Sequence, residues 1–372
     1  MKIVIERGLL LKALGHVQSV VERRGTIPIL SNVKLDAGEG KLHLTATDMD
    51  IAIAEHVNAQ VIEPGKTTVP AQTFYDIARK LPDGAQVELS VAADSNKLTI
   101  KAGSSRFSLA TLPVEEFPVM TEGELPFSFT IAAAECNALI DKTRFAVSTE
   151  ETRYYLNGIY LHSAENQGIS VLRTVATDGH RLARVEVALP AGAANMPGVI
   201  IPRKTIGEIK KLVEDGATQV EISLSESKIR FACGSAILVS KLIDGTFPDY
   251  ERVIPTMNDR IMEVNCKEFT KAVDRVSVIA SEKTRGIRLV IASGKLVLSA
   301  DSAEHGTATE EVEINYSAEP IDIGFNSRYL LEMMAQMEGD TSQFVFADGS
   351  APAVVRDISD VSALYVIMPM RV

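Results

Sequence analysis

The segment Asp178-Gly179-His180-Arg181 places a carboxylate, an imidazole and a guanidinium within four residues, a set that could form a general acid–base pair. A hydrolase or nuclease would also need a nucleophile, and no activated Ser or Cys can be nominated beside the segment. A Thr-Asp pair at the end of a strand has a structural use as well, because it caps backbone N–H groups and begins a tight turn. We favour the turn, and hydrolysis by Asp178 and His180 is the alternative.

Other chemical motifs are missing from the chain. There is no GxxxxGK[ST] loop, and Gly38-Glu39-Gly40 lacks the third glycine of a dinucleotide site. The six histidines never fall at HExxH or HxH spacing, and the three cysteines form no CxxC pair. We therefore expect no catalytic residue, no cofactor and no metal, and we expect the cysteines to be buried packing thiols.

The Thr-Asp motif is repeated along the chain. Thr-Ala-Thr-Asp ends at Asp48, Val-Ala-Thr-Asp ends at Asp178, and a looser Leu-Ser-Ala-Asp ends at Asp301, with spacings of 130 and 123 residues. This period has the size of a domain and is far longer than the roughly 20 to 50 residues of a solenoid repeat. Two segments of helical periodicity accompany each motif: 9–21 and 69–81, 136–147 and 199–213, and 269–279 and 321–337.

The strands of each copy alternate apolar and polar residues, as in Gln86 to Val91 and Thr218 to Ser223. Such alternation is typical of antiparallel sheets with one buried face. The fold class is therefore α+β, with three repeated domains that each pack two helices against antiparallel sheet. Proline and charged residues collect near 118–125 and 250–259, which predicts domains at 1–122, 128–253 and 254–372.

Composition limits the environment of the protein. The chain has 372 residues, of which 46% are hydrophobic, enough for three separate cores. No apolar run reaches 18 residues, and the N-terminal segment is charged and alternates like a strand. We expect a cytoplasmic protein without a membrane partner.

The net charge of −11 argues at first against a nucleic-acid partner, because lysine and arginine drive phosphate binding. The charges are unevenly distributed, however. Six helix-period segments (7–24, 71–81, 131–147, 203–213, 266–280 and 326–337) hold 16 basic and eight acidic residues. The helical segments therefore carry a net +8 and the remainder −19, which predicts a basic surface made of helices. The alternative is that helices merely tolerate lysine and arginine well.

Four motifs, in this order, resemble the bacterial sliding clamps, the β subunits of DNA polymerase III. They are Arg153-Tyr154-Tyr155-Leu156-Asn157-Gly158, the segment from Thr174 to Ala183, Phe247-Pro248-Asp249-Tyr250 and the terminal Tyr365-Val366-Ile367-Met368-Pro369-Met370-Arg371. The resemblance covers the whole chain. It implies a non-enzymatic processivity factor: a head-to-tail homodimer whose six domains close a ring around duplex DNA. A scaffold that binds only proteins is the other alternative.

The ring implied by the resemblance would place the basic helices around the DNA. Twelve helices spaced by about 8 to 10 Å leave an opening of roughly 25 Å, enough for a duplex with a layer of water. Binding would be independent of DNA sequence and sensitive to salt. The residues expected to contact DNA are Arg24, Arg79, Lys80, Tyr154, Tyr155, Arg203, Lys204, Lys210, Lys211, Lys271 and Arg275.

The resemblance also implies a pocket for short apolar peptides of partner proteins. Those partners are the polymerase III α subunit, the clamp loader, and other polymerases and repair proteins. Methionine and leucine give such a pocket an adaptable surface, and His180 and Arg181 are expected to be donors at its rim. The expected lining is Leu156, Thr177, Gly179, His180, Arg181, Leu182, Pro248, Val253, Asn326, Tyr329, Val366, Met368, Pro369, Met370 and Arg371.

The dimer interface is expected to be an apolar contact flanked by ion pairs. Its residues would be Arg106, Phe107 and Leu109 of one copy and Val278, Ile279, Glu304 and Glu310 of the other. Two positions depart from the family pattern. Glu150 brings a carboxylate to the expected DNA surface, where a relative carries glutamine, and Pro352 replaces a small polar residue beside the peptide pocket.

Overall fold

The computed structural model describes residues 1–21, 26–92, 95–282 and 284–372. Within these ranges the chain forms six α-helices and 25 β-strands. Two helices lie in each third of the sequence, which confirms the prediction from the repeat. The helices are α1 (Arg7–Gln18), α2 (Ala71–Lys80), α3 (Ala133–Arg144), α4 (Arg203–Glu214), α5 (Cys266–Ser277) and α6 (Ser327–Met334).

Side-chain caps determine where three of the described helices begin. The Glu6 carboxylate accepts hydrogen bonds from the N–H groups of Gly8 and Leu9 at the start of α1, and these bonds lower the pKa of Glu6. Asn265 caps α5 and Asn326 caps α6 in the same way. Each cap satisfies backbone donors that have no partner within the first turn of a helix.

The chain divides into two compact units, and the repeat does not coincide with them. Unit 1 comprises Met1–Asn137, Pro190–Pro197 and Lys204–Leu242; unit 2 comprises Ala138–Leu189, Gly198–Arg203 and Ile243–Val372. The middle third of the sequence is therefore shared between the units. The predicted boundaries at 122 and 253 remain a prediction about the repeat.

Unit 1 contains two antiparallel sheets. The five-stranded sheet has the order β5 (Gln60–Glu63), β1 (Lys2–Glu6), β7 (Gln86–Ser90), β8 (Lys97–Ala102) and β9 (Ser105–Ala110). The eight-stranded sheet has the order β10 (Phe127–Ala132), β15 (Gln219–Leu224), β16 (Lys228–Cys233), β17 (Ala236–Lys241), β4 (Ile51–Asn58), β3 (Lys41–Thr47), β2 (Asn32–Gly38) and β6 (Gly65–Pro70).

Unit 2 also contains two antiparallel sheets. The eight-stranded sheet has the order β14 (Val199–Pro202), β11 (Gly158–Asn166), β12 (Ile169–Thr177), β13 (Arg181–Ala188), β25 (Asp360–Ile367), β24 (Ala353–Asp357), β23 (Thr341–Phe346) and β18 (Arg260–Asn265). The four-stranded sheet has the order β21 (Gly306–Glu313), β20 (Lys295–Ser302), β19 (Gly286–Ala292) and β22 (Ile321–Asn326).

Each eight-stranded sheet joins strands from two copies of the repeat. In unit 1, β4 of the first copy pairs with β17 of the second, with Ala52 opposite Val239. In unit 2, β13 of the second copy pairs with β25 of the third, with Leu182 opposite Val366. These two strand pairs are called the sheet junctions below. They explain why the middle third is divided, because each half of it continues a neighbour's sheet.

The three cysteines behave as packing residues. Cys136, Cys233 and Cys266 are all free thiols and all buried, which confirms the prediction. Burial raises the pKa of Cys136 to about 12 and that of Cys233 to about 11. Both thiols therefore stay protonated and unreactive at neutral pH.

Candidate functional site

The Thr-Asp motifs at Asp48 and Asp178 form the same turn. The Asp178 Oδ1 atom accepts hydrogen bonds from the N–H groups of His180 (2.9 Å) and Arg181 (3.1 Å), while Thr177 Oγ1 accepts from Gly179 N (3.1 Å) and donates to the Arg181 carbonyl (2.7 Å). Thr47 and Asp48 make the four equivalent bonds to residues 49–51. The predicted turn chemistry is confirmed at both positions. We call these turns the Asp48 corner, in unit 1, and the Asp178 corner, in unit 2.

Arg181 is the central side chain of the Asp178 corner. Only 7% of Arg181 is exposed. Its guanidinium pairs with Asp178 (3.1 Å) and with Glu332, and it donates to the Phe145 carbonyl. The group also lies over the rings of Tyr329 (4.4 Å) and Phe145 (5.1 Å). Arg181 was predicted to be a rim donor, and three of its N–H groups are already bonded within unit 2.

Glu332 is a residue of this cluster that the sequence analysis did not assign to the site. Burial raises the pKa of Glu332, but hydrogen bonds from Arg328 and Arg181 outweigh that effect and the net shift is downward. The carboxylate is therefore ionised at neutral pH. A sequence signal was present, because Glu332 stands four residues after Arg328 on α6, the spacing of a helical ion pair.

An open cleft of about 420 Å³ lies beside the Asp178 corner. Of the residues predicted for the peptide pocket, His180, Arg181 and Tyr329 line it. His180 is exposed, and its ring stacks loosely with that of Tyr329 at a centroid distance of 6.2 Å. Arg144, Glu150 and Arg328 also contribute, so the cleft is mainly polar.

The apolar members of the predicted pocket belong to a different part of unit 2. Leu156, Leu182 and Val366 are buried in one cluster with Phe247 and Tyr250. Pro248 lies between the two aromatic residues in sequence, Val253 follows them, and both are exposed. Thr177 is half-buried at the end of β12, and Gly179 is exposed in the turn that follows it.

The C-terminal tail continues from the unit 2 junction across the four-stranded sheet. Met368 N donates to the His180 carbonyl (2.9 Å), and Met370 N donates to the Gly324 carbonyl (2.9 Å). A side chain at Gly324 would overlap the Met370 carbonyl and Val372. Met368 is 40% exposed, whereas Pro369 and Met370 are half-buried and Arg371 is exposed. The structure thus brings the tail and the Asp178 corner together.

Most of the helix cations predicted to contact DNA are paired with carboxylates. Such pairs are Arg79 with Asp76 (3.1 Å), Lys204 with Asp48 (2.5 Å), Lys210 with Glu214 (3.0 Å), Lys211 with Glu208 (2.9 Å) and Arg275 with Glu310 (2.9 Å). In the part of the chain that the structure describes, Lys80, Arg203 and Lys271 are exposed and have no carboxylate within 4.0 Å. The unpaired positive charge of the helices is therefore smaller than their composition indicates.

The other residues of the predicted DNA surface include two tyrosines. Tyr154 is 54% exposed and meets Tyr155 edge to face, with ring centroids 5.8 Å apart. Arg24 lies outside the described residues. Glu150, which departs from the family pattern, pairs with Arg153 at 3.1 Å, and the Pro352 carbonyl accepts a hydrogen bond from Asn258.

The residues predicted for the dimer interface lie on two edge strands and beside a helix end. Arg106, Phe107 and Leu109 belong to β9, the last strand of its sheet, and Arg106 and Phe107 are exposed. Glu310 belongs to β21, the edge strand of the four-stranded sheet, and Glu304 lies in the turn before it. Val278 and Ile279 follow α5, and Val278 is 75% exposed.

The Asp178 carboxylate is occupied by the turn and by Arg181, which leaves the alternative of hydrolysis by Asp178 and His180 without support. No group of three or more His, Cys, Asp or Glu side chains in the described ranges could hold a metal ion. No helix of those ranges is both long and apolar enough to cross a membrane.

Comparisons with known proteins cover the whole chain. Models of the N-terminal, central and C-terminal domains of the DNA polymerase III β subunit match residues 1–121, 130–249 and 251–371. The β sliding clamps of Caulobacter vibrioides and Escherichia coli are 52% and 37% identical to the chain, with all of both chains covered. A crystal structure of the Caulobacter crescentus clamp superposes with a TM-score of 0.97 at 52% identity, covering all of this chain and 99% of that one. A Bartonella birtlesii clamp bound to griselimycin gives 0.97 at 47% identity, with both chains fully covered. The chain therefore belongs to the DNA polymerase III β-subunit family and has the fold and the role of a β sliding clamp.

Proposed function

We propose that two copies of this chain associate head to tail and close a ring around duplex DNA. The ring tethers the polymerase III α subunit, the clamp loader, and other polymerases and repair proteins through short apolar peptides that bind unit 2. It acts by topology in the cytoplasm and catalyses no reaction. Support comes from the sheet junctions, from the helix charges and from the surface around the Asp178 corner.

The sheet junctions carry the proposal. Among the described strands, β17 has β9 as its counterpart in the first copy of the repeat, and β4 has β21 as its counterpart in the third copy. In their own sheets, β9 and β21 each pair on one side only. Two junctions within the chain therefore predict a third junction, between β9 of one chain and β21 of a second chain. Because this contact is heterologous, two chains close into a ring only if the rotations that relate them sum to a full turn.

The internal junction also predicts the register of that contact. In unit 1, Leu238 lies opposite Ile53 and Ile237 opposite Ala54. The Thr-Asp motif aligns Asp301 with Asp48, so Thr309, opposite Ser299, takes the place of Ile53, opposite Ala46, and the hairpin positions assign Phe107 to the place of Leu238. Phe107 would then face Thr309, and Arg106 would face Glu310. The exposure of Phe107 on an edge strand fits this arrangement, since exposed apolar edges are normally covered.

The mass of the native particle tests the dimer. We expect about twice the chain mass of 40.3 kDa by native mass spectrometry. Phe107→Glu should give monomers, because it places a charge in the middle of the proposed contact. Ile62→Glu is the matched control, since Ile62 is an exposed apolar residue on β5, at the opposite edge of the same sheet. A wild-type mass of 40.3 kDa at micromolar concentration would contradict the proposal.

Retention on DNA tests the topology. After loading, the clamp should remain on nicked circular duplex and be lost from linear duplex of the same sequence, because a ring leaves only over an end. Linearising the circle with a restriction enzyme should release it. Equal loss from both forms would mean that the chain binds DNA only by contact.

The peptide site can be tested at the tail. Met368→Glu should weaken binding of a polymerase-derived apolar peptide, because it places a charge beside the Asp178 corner. Met257→Glu is the matched control, since Met257 is highly exposed elsewhere in unit 2. Unchanged affinity in the Met368 variant would contradict the proposed site.

A further inference from the structure

We infer that unit 1 carries a second binding site for a short peptide, one that presents a large apolar side chain and a carboxylate. The site is a cavity on the eight-stranded sheet of unit 1, at the junction of β4 and β17 and beneath residues 117–122. That the ligand is a peptide rests on the proposed peptide-binding function of unit 2. The cavity itself is a feature of unit 1 and does not depend on that proposal.

The cavity is formed by strands and by the segment that crosses them. Its volume is about 230 Å³, several times the roughly 30 Å³ that a water molecule occupies in the liquid. It therefore has room for one large side chain. It is lined by Ala52 and Val239 of the two junction strands, by Pro118 and Met120 of the crossing segment, and by Lys34 and Thr47.

Strand register shows that this cavity is the repeat equivalent of the apolar cluster at the unit 2 junction. Thr47 faces Ala52 and Ala52 faces Val239 in unit 1. Thr177 faces Leu182 and Leu182 faces Val366 in unit 2. The Phe-Pro pair at 117–118 also corresponds to the Phe-Pro pair at 247–248.

The two places differ in the size of their side chains. At the unit 2 junction, Tyr160 stacks on Phe247 at 4.8 Å and Leu182 is buried in the cluster. The equivalent residues in unit 1 are Lys34 and Ala52. The unit 1 junction thus has less apolar volume of its own on the same backbone, and this difference leaves the cavity.

Charge identifies the second feature of the ligand. Lys34 is half-buried at the cavity, and in the described part of the chain no carboxylate lies within 4.0 Å of its ammonium group. Glu122 also lines the cavity, and its carboxylate lies 3.5 Å from Arg230. Asp36, on the same strand as Lys34, pairs with Lys66 at 2.8 Å. A half-buried lysine without a counter-charge beside an apolar cavity is complementary to a carboxylate next to an apolar side chain.

Methionine methyl NMR distinguishes the two sites, because Met120 lines the cavity of unit 1 and Met368 lies beside the Asp178 corner of unit 2. The full-length protein with [ε-¹³C]methionine is titrated with acetyl-Gly-Leu-Ser-Leu-Phe bearing a free carboxylate. We expect both methyl signals to shift, with separate saturation curves. An unmoved Met120 signal up to millimolar peptide overturns the inference, whatever Met368 does. A shift of Met120 alone supports it and counts against the proposed site in unit 2.

Two variants test the assigned contacts. Ala52→Phe should abolish the Met120 response and leave the Met368 response unchanged, because the new ring fills the cavity. Lys34→Glu should raise the Kd at Met120 about two- to fivefold, the size of an exposed ion pair, and amidating the peptide carboxylate should remove that difference. Lys97→Glu on the other sheet is the matched control. A response at Met120 that survives Ala52→Phe overturns the inference.

Discussion

The Asp48 and Asp178 corners have the same backbone and different chemistry. Both are closed by the same four hydrogen bonds, and both have a residue with positive φ, Met49 at 79° and Gly179 at 87°. The residue that ends the turn is Ile51 in unit 1 and Arg181 in unit 2. Ile51 is a buried core residue. Arg181 instead organises a cluster of carboxylates and aromatic rings.

This difference shows how a repeat acquires a function. The hydrogen bonds that make the turn involve Thr, Asp and backbone groups, so the neighbouring side chains can change without loss of the turn. At the Asp178 corner the changed residues face the C-terminal tail and an open cleft. At the Asp48 corner the free carboxylate oxygen is taken by Lys204. The four predictions below test this comparison, from the largest expected effect to the smallest.

Replacing Arg181 should destabilise unit 2 strongly. Arg181→Leu removes the counter-charge of Asp178 and Glu332, and the loss of one partner of a buried pair costs about 3–5 kcal/mol. The counterpart change Ile51→Val should cost unit 1 only about 0.5–1.5 kcal/mol. Hydrogen exchange of β12 and β13, compared with that of β3 and β4, measures both. Equal losses of stability in the two units would mean that Ile51 and Arg181 stabilise their corners to the same extent, against the prediction.

Exchanging the residues with positive φ should have opposite effects in the two units. Gly179→Met forces an L side chain into the left-handed region, at a cost of about 1–2 kcal/mol, and its Cβ would lie 2.8 Å from an Arg153 nitrogen. Met49→Gly relieves the same strain and should range from neutral to about 1 kcal/mol stabilising. Hydrogen exchange at each turn is the measurement, and a destabilised Met49→Gly turn would contradict the prediction.

Buried His16 in unit 1 and half-buried His162 in unit 2 should give the two units opposite responses to pH. Burial lowers the pKa of His16, but Glu55 (2.7 Å) and Asp215 (2.5 Å) bind its ring and raise the pKa overall. The contribution of His16 to the stability of unit 1 is therefore full below the pKa of about 6.5 in the unfolded state. It is lost as pH rises through the pKa of the folded state. Burial lowers the pKa of His162 in unit 2, and Arg173 adds to that effect. The contribution of His162 to the stability of unit 2 is full above the unfolded-state pKa of about 6.5. It is lost as pH falls through the pKa of the folded state.

Hydrogen exchange of each unit, corrected for intrinsic exchange and followed from pH 5.5 to 8.5, measures this effect. His16→Gln should flatten the dependence in unit 1 only, and His162→Gln in unit 2 only. Parallel pH dependences in the two wild-type units would contradict the assignment.

Paired and unpaired helix cations should contribute differently to the proposed DNA binding. Lys271→Gln in unit 2 should lower the slope of log K against log salt by about 1 if it contacts one phosphate. Lys210→Gln in unit 1 should lower it by less, because Lys210 already has Glu214 as a partner. Fluorescence anisotropy with a short duplex over a range of salt concentrations measures both slopes. A larger effect of Lys210 would show that the intrachain pair opens on DNA.

Much of the fold could be predicted because its signals are local. The helix periods, the alternation of strands such as β7 and the Thr-Asp turns depend on residues within a few positions of each other, and all are found in the structure. The candidate site was predicted less completely. Arg181 was expected at a rim because the family resemblance implies a peptide pocket there, and nothing nearby in sequence indicated that Glu332, 151 residues away, would neutralise it.

The sequence by itself determined the threefold repeat, the two helices and antiparallel strands of each copy, and the family. These follow from short-range patterns of apolar residues and turn residues, and from motifs that are contiguous in the chain. Only the tertiary structure decided which strands join at the junctions, which helix cations are neutralised and where a cavity remains. Lys204 meets Asp48 across 156 residues of sequence, and such contacts depend on the docking of whole sheets, which no local pattern encodes.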